Sequence, residues 1–276
     1  MALMMAKHGL PYGSDSAVPR ISVWLSAWNW WKEIADQDGQ IAATRRLASA
    51  LVDFIRDSTP ERRRQRYGDA EYDWEHRVNT TSGAVGWHDR LLGVFHSPYQ
   101  PTDAGLFHEM IGALAANPGV DFRQLVFIDL GSGKGRALLM ASDYPFRRIV
   151  GVELLPALNV AAKENIARYR SESQKCFAIE SVCADATEFV LPDGPIVIFL
   201  FNPLSESRLR KVIANLEESL RVHPRIVYAL YHNPLLDHVL EERVAFEKIG
   251  GTHQYSIYAC ALKASRGANC TARQLC

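Results

Sequence analysis

A doubly wound α/β fold is the architecture this sequence predicts: a mostly parallel, seven-stranded sheet with a reversed strand at its edge, plus an N-terminal helical extension. Three observations predict it. From Leu125 onward, short apolar runs alternate with helical patterns, as in a parallel sheet covered on both faces. One such run, Val126-Phe127-Ile128-Asp129-Leu130, passes directly into Gly131-Ser132-Gly133-Lys134-Gly135 and then into the helical pattern Arg136-Ala137-Leu138-Leu139-Met140-Ala141. The last two strand-like runs flank Gly250-Gly251, and so short a connection forces an antiparallel hairpin, because a parallel pair needs a crossover.

Residues 1–20 mix glycine, proline and polar positions and are expected to fray. Between Ser22 and Ala35, Trp24, Trp28 and Trp31 fall on one helical face. Stripes of this kind are more often core than docking surface, so the spacing predicts a helix packed on the main domain. An aromatic platform for a membrane or partner is the competing reading. Ile41 to Asp57 repeats the helical period through Leu47, Leu51, Phe54 and Ile55. Arg62, Arg63, Arg64 and Arg66 then read as a solvated helix face or a contact for an acidic substrate. Tyr72 to Thr102 has little periodicity but carries Trp74, Trp87, His88, His96 and Tyr99, and Leu106 to Leu114 reads as a helix feeding the sheet.

Strands are expected near 125–130, 148–153, 177–183, 196–201, 225–231, 243–249 and 254–262, and helices near 134–143, 155–169, 205–221 and 233–242. The chain therefore divides into an extension and cap over 1–119, an α/β domain over 120–263, and a loose tail over 264–276.

Thirty-one basic residues balance thirty-one acidic ones, so no global field draws the protein onto nucleic acid or anionic membrane. No apolar run is long enough to span a bilayer. The five cysteines are odd in number and widely spaced, suggesting neither a zinc site nor a disulfide framework. Cys176, Cys183 and Cys260 read as small buried hydrophobes. These features predict a cytoplasmic protein without a metal. Its oligomeric state is left open.

The glycine-rich turn is where a ligand is expected. A strand, glycine turn and helix bring backbone N–H groups to the strand's carboxyl end. The spacing here is G-x-G-x-G, not the dinucleotide fingerprint G-x-G-x-x-G, and Lys134 lacks the following hydroxyl of a phosphate-binding loop. Asp129, just before the turn, would repel a pyrophosphate and suits a cationic or amine-bearing ligand.

With these residues the chain resembles the Rossmann-like class I S-adenosylmethionine-dependent methyltransferases, whose first motif D/E-x-G-x-G-x-G is matched by Asp129, Gly131, Gly133 and Gly135. The resemblance continues in the family's order. Arg148 to Glu153 looks like the second strand, with Glu153 as the ribose-binding acid about 20 residues beyond the turn. Cys183-Ala184-Asp185-Ala186 looks like the third motif, whose Asp contacts the adenine amino group. Ile196 to Pro203 looks like strand four, with Asn202-Pro203 at the methyl-transfer centre.

The resemblance implies S-adenosyl-L-methionine as cofactor, held by Asp129, Gly131, Ser132, Gly133, Gly135, Glu153, Leu154, Asp185, Ala186, Asn202 and Thr102. In the family, the segment preceding the first motif caps the cofactor, and Tyr99 and Thr102 are the candidates for that cap.

Asn202-Pro203 departs from the family's Asn/Asp-Pro-Pro-aromatic motif, with Leu204 for the second proline and Ser205 for the aromatic, which disfavours nucleobase amines. A single Asn and the run Asp-Leu-Gly-Ser-Gly are similar to the non-SET protein-lysine methyltransferases. Asn202 could equally cap the helix after it. A lysine, with a pKa of about 10.4, must lose its proton before it can attack, and an aromatic channel would lower that pKa. Tyr99, Phe201, Tyr231 and His232 are the channel candidates, and Asn202, Tyr99 and His232 the candidate catalytic residues.

The expected function is nitrogen methylation of a protein lysine. Methylation of a small molecule or RNA is the alternative, followed by an NAD-dependent oxidoreductase or a non-catalytic cofactor-binding module.

Overall fold

The computed structural model describes residues 22–57, 70–81, 101–201 and 204–260. The N-terminal fraying region, Arg62 to Arg66, the stretch containing Trp87, His88, His96 and Tyr99, the pair Asn202-Pro203, and the tail with Cys270 and Cys276 lie outside these residues.

Helix α1 (Val23–Asp38) starts at Ser22, whose Oγ accepts from the Leu25 amide, and ends at Gly39 with φ 88°. Helix α2 (Gln40–Asp57) follows at once and packs against it. The tryptophan stripe does not pack on the main domain as predicted. Trp24 is 85% exposed and Trp28 61% exposed. Among the described residues of this pair the buried ones are small, Ser26 and Ala43. Trp28 stacks on Trp31 at 5.4 Å instead, and Trp31 Nε1 donates to Thr44 Oγ1 on α2. Ser207 Oγ donates to Glu33 Oε1 at 2.5 Å, tying α1 to the sheet domain.

Helix α3 (Ala70–His76) and helix α4 (Ala104–Ala115) precede the sheet. Asp103 caps α4 by accepting from the Leu106 amide at 2.8 Å, and Phe107, Met110, Ile111 and Leu114 are its buried face.

The strands are β1 (Val126–Leu130), β2 (Arg148–Glu153), β3 (Ile179–Cys183), β4 (Ile196–Phe201), β5 (Val227–His232), β6 (Phe246–Gly251) and β7 (Tyr255–Cys260). The helices between them are α5 (Arg136–Ala141), α6 (Pro156–Arg168), α7 (Glu206–Val222) and α8 (His238–Glu241). They form one seven-stranded sheet ordered β3-β2-β1-β4-β5-β7-β6, with β1 to β5 parallel and β7 antiparallel to both neighbours. The predicted doubly wound sheet with a reversed strand is therefore present, and the reversed strand sits between β5 and the outermost β6. The order in which strands are added reverses between β1 and β4, the place where open α/β sheets hold ligands.

Strand alternation gives the sheet two apolar faces. Ile128, Ile198, Ala229 and Tyr231 pack with α7 through Leu209, Val212 and Leu216. Phe127, Phe199 and Leu230 pack on the other face with Phe107 of α4 and Leu138 of α5. Cys176 and Cys260 are buried as expected, whereas Cys183 is half-buried. Burial pushes the Cys260 thiol up to about 12.

The helix predicted over 233–242 is reduced to α8. Asn233 adopts φ 50°, and its amide donates to Gln254 O at 2.7 Å. Asp237 then accepts from Lys248 Nζ (2.6 Å), Ser256 Oγ (2.8 Å) and Tyr258 OH (2.7 Å), binding this turn to the hairpin. Gly251 has φ 144°, and a Cβ there would lie 2.6 Å from Tyr255 O. A Gly251→Ala protein is expected to lose about 2 kcal/mol, seen as a lower urea midpoint at unchanged slope.

Candidate functional site

The turn after β1 has left-handed backbone at all three glycines: Gly131 (φ 90°), Gly133 (φ 53°) and Gly135 (φ 83°). A side chain at such positions is strained, which is why this segment needs glycine. Gly131 N and Ser132 N both donate to Val152 O, at 2.8 and 3.1 Å, and Gly135 N donates to Ser132 O at 2.8 Å. Gly135 also admits α6 closely, since a Cβ there would meet Ala162 Cβ at 3.2 Å. Gly151 of β2 plays the same part from below: a Cβ would come within 2.7 Å of Ser132 Oγ and 2.6 Å of Leu138 Cδ1.

Four predicted site residues share one face of the sheet at its carboxyl edge. Asp129, Glu153, Phe201 and His232 all have the strand parity of the face covered by α4 and α5. Asp129 and Glu153 are 4% and 6% exposed. Burial, and then repulsion from Glu153, hold the Asp129 carboxyl well above the usual range. Among the described residues no cation pairs with either acid. Glu153 is fixed by backbone: Oε2 accepts from Gly133 N and Oε1 from Leu155 N, both at 2.8 Å. Burial raises the Glu153 carboxyl and these amides oppose the rise. Ser132 Oγ is buried without a partner among the described residues.

At the other end, Phe201 and His232 are register partners whose rings stack at 3.9 Å. His232 is 7% exposed, and its Nδ1 has no partner among the described residues. Desolvation lowers the imidazole to about 4, with Asp103 opposing, so the ring is neutral at pH 7. Thr102, next to Asp103, is buried. Tyr231 does not join this group. Period-two alternation sends it to the opposite face, where it is buried and its OH accepts from Leu236 N at 3.3 Å. Asn202 follows Phe201 in the chain and, like Tyr99, lies outside the described residues.

Asp185, beyond β3, is not an open carboxylate. Its Oδ1 accepts from Arg208 Nη2 on α7 at 2.7 Å and from the Thr187 amide at 2.8 Å. Burial raises this acid, but the bonds from Arg208 and Thr187 outweigh it and leave it below the usual range. The neighbouring Leu154 and Ala186 are half-buried.

The sequence reading missed the segment that docks on the back of the glycine turn. Lys134 and Arg136 are each only 2% exposed and face α3, away from Asp129. Lys134 Nζ donates to Asn79 Oδ1 at 3.3 Å, and the Arg136 guanidinium lies 4.3 Å above the Tyr72 ring. Asp73 accepts from the amides of Thr80 and Thr81 and from both hydroxyls. Asn165 on α6 bonds both this segment and the turn. A polar residue one turn beyond Ala162, on the helix's buried face, was the available signal.

No family model matches the chain, and no curated protein matches it. Among solved structures it is similar to an RNA methyltransferase from Salinibacter ruber in complex with S-adenosyl-L-homocysteine, at 20% identity over 58% of this chain and 92% of that one, with TM-score 0.40. It is similar to a ribosomal protein L11 methylase from Lactobacillus delbrueckii subsp. bulgaricus at 18% identity over 56% and 76%, TM-score 0.39. A third is the glycopeptide N-methyltransferase MtfA, at 14% identity over 59% and 91%, TM-score 0.44. Similarity at this level speaks neither to activity nor to acceptor.

Proposed function

We propose that the protein is an S-adenosylmethionine-dependent methyltransferase acting on nitrogen, with a protein lysine as acceptor. The observation that carries it is the pair of buried carboxylates, Asp129 and Glu153, at the carboxyl edge of the central strands. No cation of the described residues pairs with them, and the turn's own cations face the other way. Such a pair calls for positive charge and hydroxyls from a ligand. Asp129 would take the amino group and Glu153 the ribose. Each Glu153 oxygen accepts one bond from a backbone amide and keeps further acceptor capacity. Asp185 would take the base while Arg208 holds it, and the left-handed glycines leave the backbone free of side chains where the nucleoside must approach.

When bound, S-adenosylmethionine supplies an electrophilic methyl on a sulfonium, so the protein's task is alignment and exclusion of water. The Phe201–His232 stack is a flat wall beside the expected acceptor position at Asn202. A neutral imidazole is a hydrogen-bond acceptor for an N–H, and it does not repel a cation as a protonated ring would. His232→Gln is expected to lower kcat about 100-fold with little change in KM. Because His232 titrates near 4, the wild-type pH–rate profile should climb from pH 6 to 9 with deprotonation of the amine and show no inflection near 6.5. Rate measurements on both proteins across that range check it.

Calorimetric titration with S-adenosylmethionine tests the cofactor, and its failure to bind wild-type protein would end the proposal. Incubation with methyl-labelled cofactor and a fractionated cell extract tests the acceptor. Label recovered as methyl-lysine after protein hydrolysis supports lysine. Label confined to RNA or small molecules overturns it.

A further inference from the structure

The Asn165 side chain is 2% exposed and makes three bonds that join separate parts of the chain. Its Nδ2 donates to Lys134 O at 2.9 Å and to Asn79 O at 3.0 Å, and its Oδ1 accepts from Asn79 N at 2.9 Å. The partners fix the amide's orientation, since two carbonyls can face only the NH₂ and one N–H only the oxygen. The peptide between Lys134 and Gly135 is thus held at both ends, its carbonyl by Asn165 and its N–H by Ser132 O.

One residue earlier, the Gly133 amide is held by Glu153. On the far side, Asp73 fixes the amides of Thr80 and Thr81 at 2.8 and 2.7 Å, next to Asn79. One hydrogen-bonded path therefore runs from Asp73 through residues 79–81 and Asn165 to the glycine turn and on to Glu153.

We propose that Asn165 is a positioning residue that couples docking of segment 77–81 to the shape of the glycine turn, so that nucleoside capture and closure of this strap are one event. The proposal rests on the cofactor reading above. A ligand that requires the formed turn favours the docked strap, and by linkage the docked strap favours the ligand. Asn165→Asp is the sharpest probe: it is nearly isosteric, but a carboxylate cannot donate, and it would face the carbonyls of Lys134 and Asn79.

The experiment is amide hydrogen exchange on wild type and Asn165→Asp, with and without S-adenosylhomocysteine, beside calorimetry and cofactor kinetics. In wild type the ligand should slow exchange at Asn79, Thr80 and Thr81. In Asn165→Asp an acceptor for the Asn79 amide remains but both donated bonds are replaced by repulsion. The ligand-dependent slowing at Asn79, Thr80 and Thr81 should therefore shrink, affinity should fall about tenfold, and KM for the cofactor should rise with kcat nearly unchanged, while β4 amides exchange as before.

Affinity within about threefold of wild type and retained ligand-dependent protection would overturn the coupling. If wild type binds no ligand, the functional reading fails, and the coupling is judged on ligand-free exchange at Gly131, Ser132, Gly135 and Asn79. Faster exchange there in the variant supports it, and unchanged exchange overturns it. Should Asn165→Asp not fold, Asn79→Pro removes the strap's amide, and with it the Oδ1 acceptor of Lys134, at an exposed position and carries the same expectations for the turn and for affinity. Asn79→Ala, which keeps the amide but loses Oδ1, should leave both near wild type.

Discussion

An Asp129→Asn protein should bind S-adenosylmethionine about 100-fold more weakly than wild type, roughly 2.7 kcal/mol, yet unfold at a higher temperature when no cofactor is present. The loss follows from removing a charge-assisted hydrogen bond in a buried site. The gain follows from the raised Asp129 carboxyl, caused by burial and by Glu153. An acid whose folded pKa lies above its unfolded value adds stability only while protonated. That contribution is complete below the ordinary carboxylate pKa and is lost as pH rises through the folded one. The asparagine protein never carries this charge, so its advantage in melting temperature should be larger at pH 7.5 than at pH 4.5. Saturating cofactor should reverse the order, because a ligand stabilises only the form that binds it. Equal affinity in the two proteins would remove Asp129 from the site.

Gly151→Ala should destabilise by about 3 kcal/mol and weaken cofactor binding with it. The added methyl would sit 2.6 Å from Leu138 Cδ1 and 2.7 and 2.9 Å from Ser132 Oγ and Cβ. Leu138 is in the fully buried helix α5, and Ser132 is in a turn whose amides are fixed to Val152, so neither can withdraw freely. The conflict must be relieved by shifting the turn itself. A chemical denaturation series beside a cofactor titration reads both effects. A stable variant with wild-type affinity would show that the turn has slack this packing denies it.

The sheet was legible because its signals are local. β1, β2 and β4 are apolar runs of strand length, and the glycine turn announces itself through residues that only a left-handed backbone requires. Asp129 and Glu153 could be placed at one edge because both terminate such runs. Period two, applied residue by residue, would also have separated Tyr231 from His232. Other features depend on contacts that spacing does not encode. Asn79 and Asn165 meet across 86 residues of chain, and the local spacing around either does not encode that meeting. The tryptophans of α1 follow a core-like stripe, yet Trp24 and Trp28 stay exposed, and Ala43 is the one buried side chain among the described residues of α2. Nothing around Asp185 in the sequence announces that Arg208, beyond β4 on α7, reaches it.

The place of β7 has a consequence for how the chain matures. It follows β6 in sequence but fills the gap between β5 and β6, so the five parallel strands can assemble while β5 still presents a bare edge. Until residues 255–260 leave the ribosome, that edge has unmatched N–H and C=O groups beside the apolar Leu230 and Tyr228, an invitation to pair with another nascent chain. Insertion of β7 is thus a closing stitch. Chains that stall before Tyr255 should be the ones that aggregate or recruit chaperones.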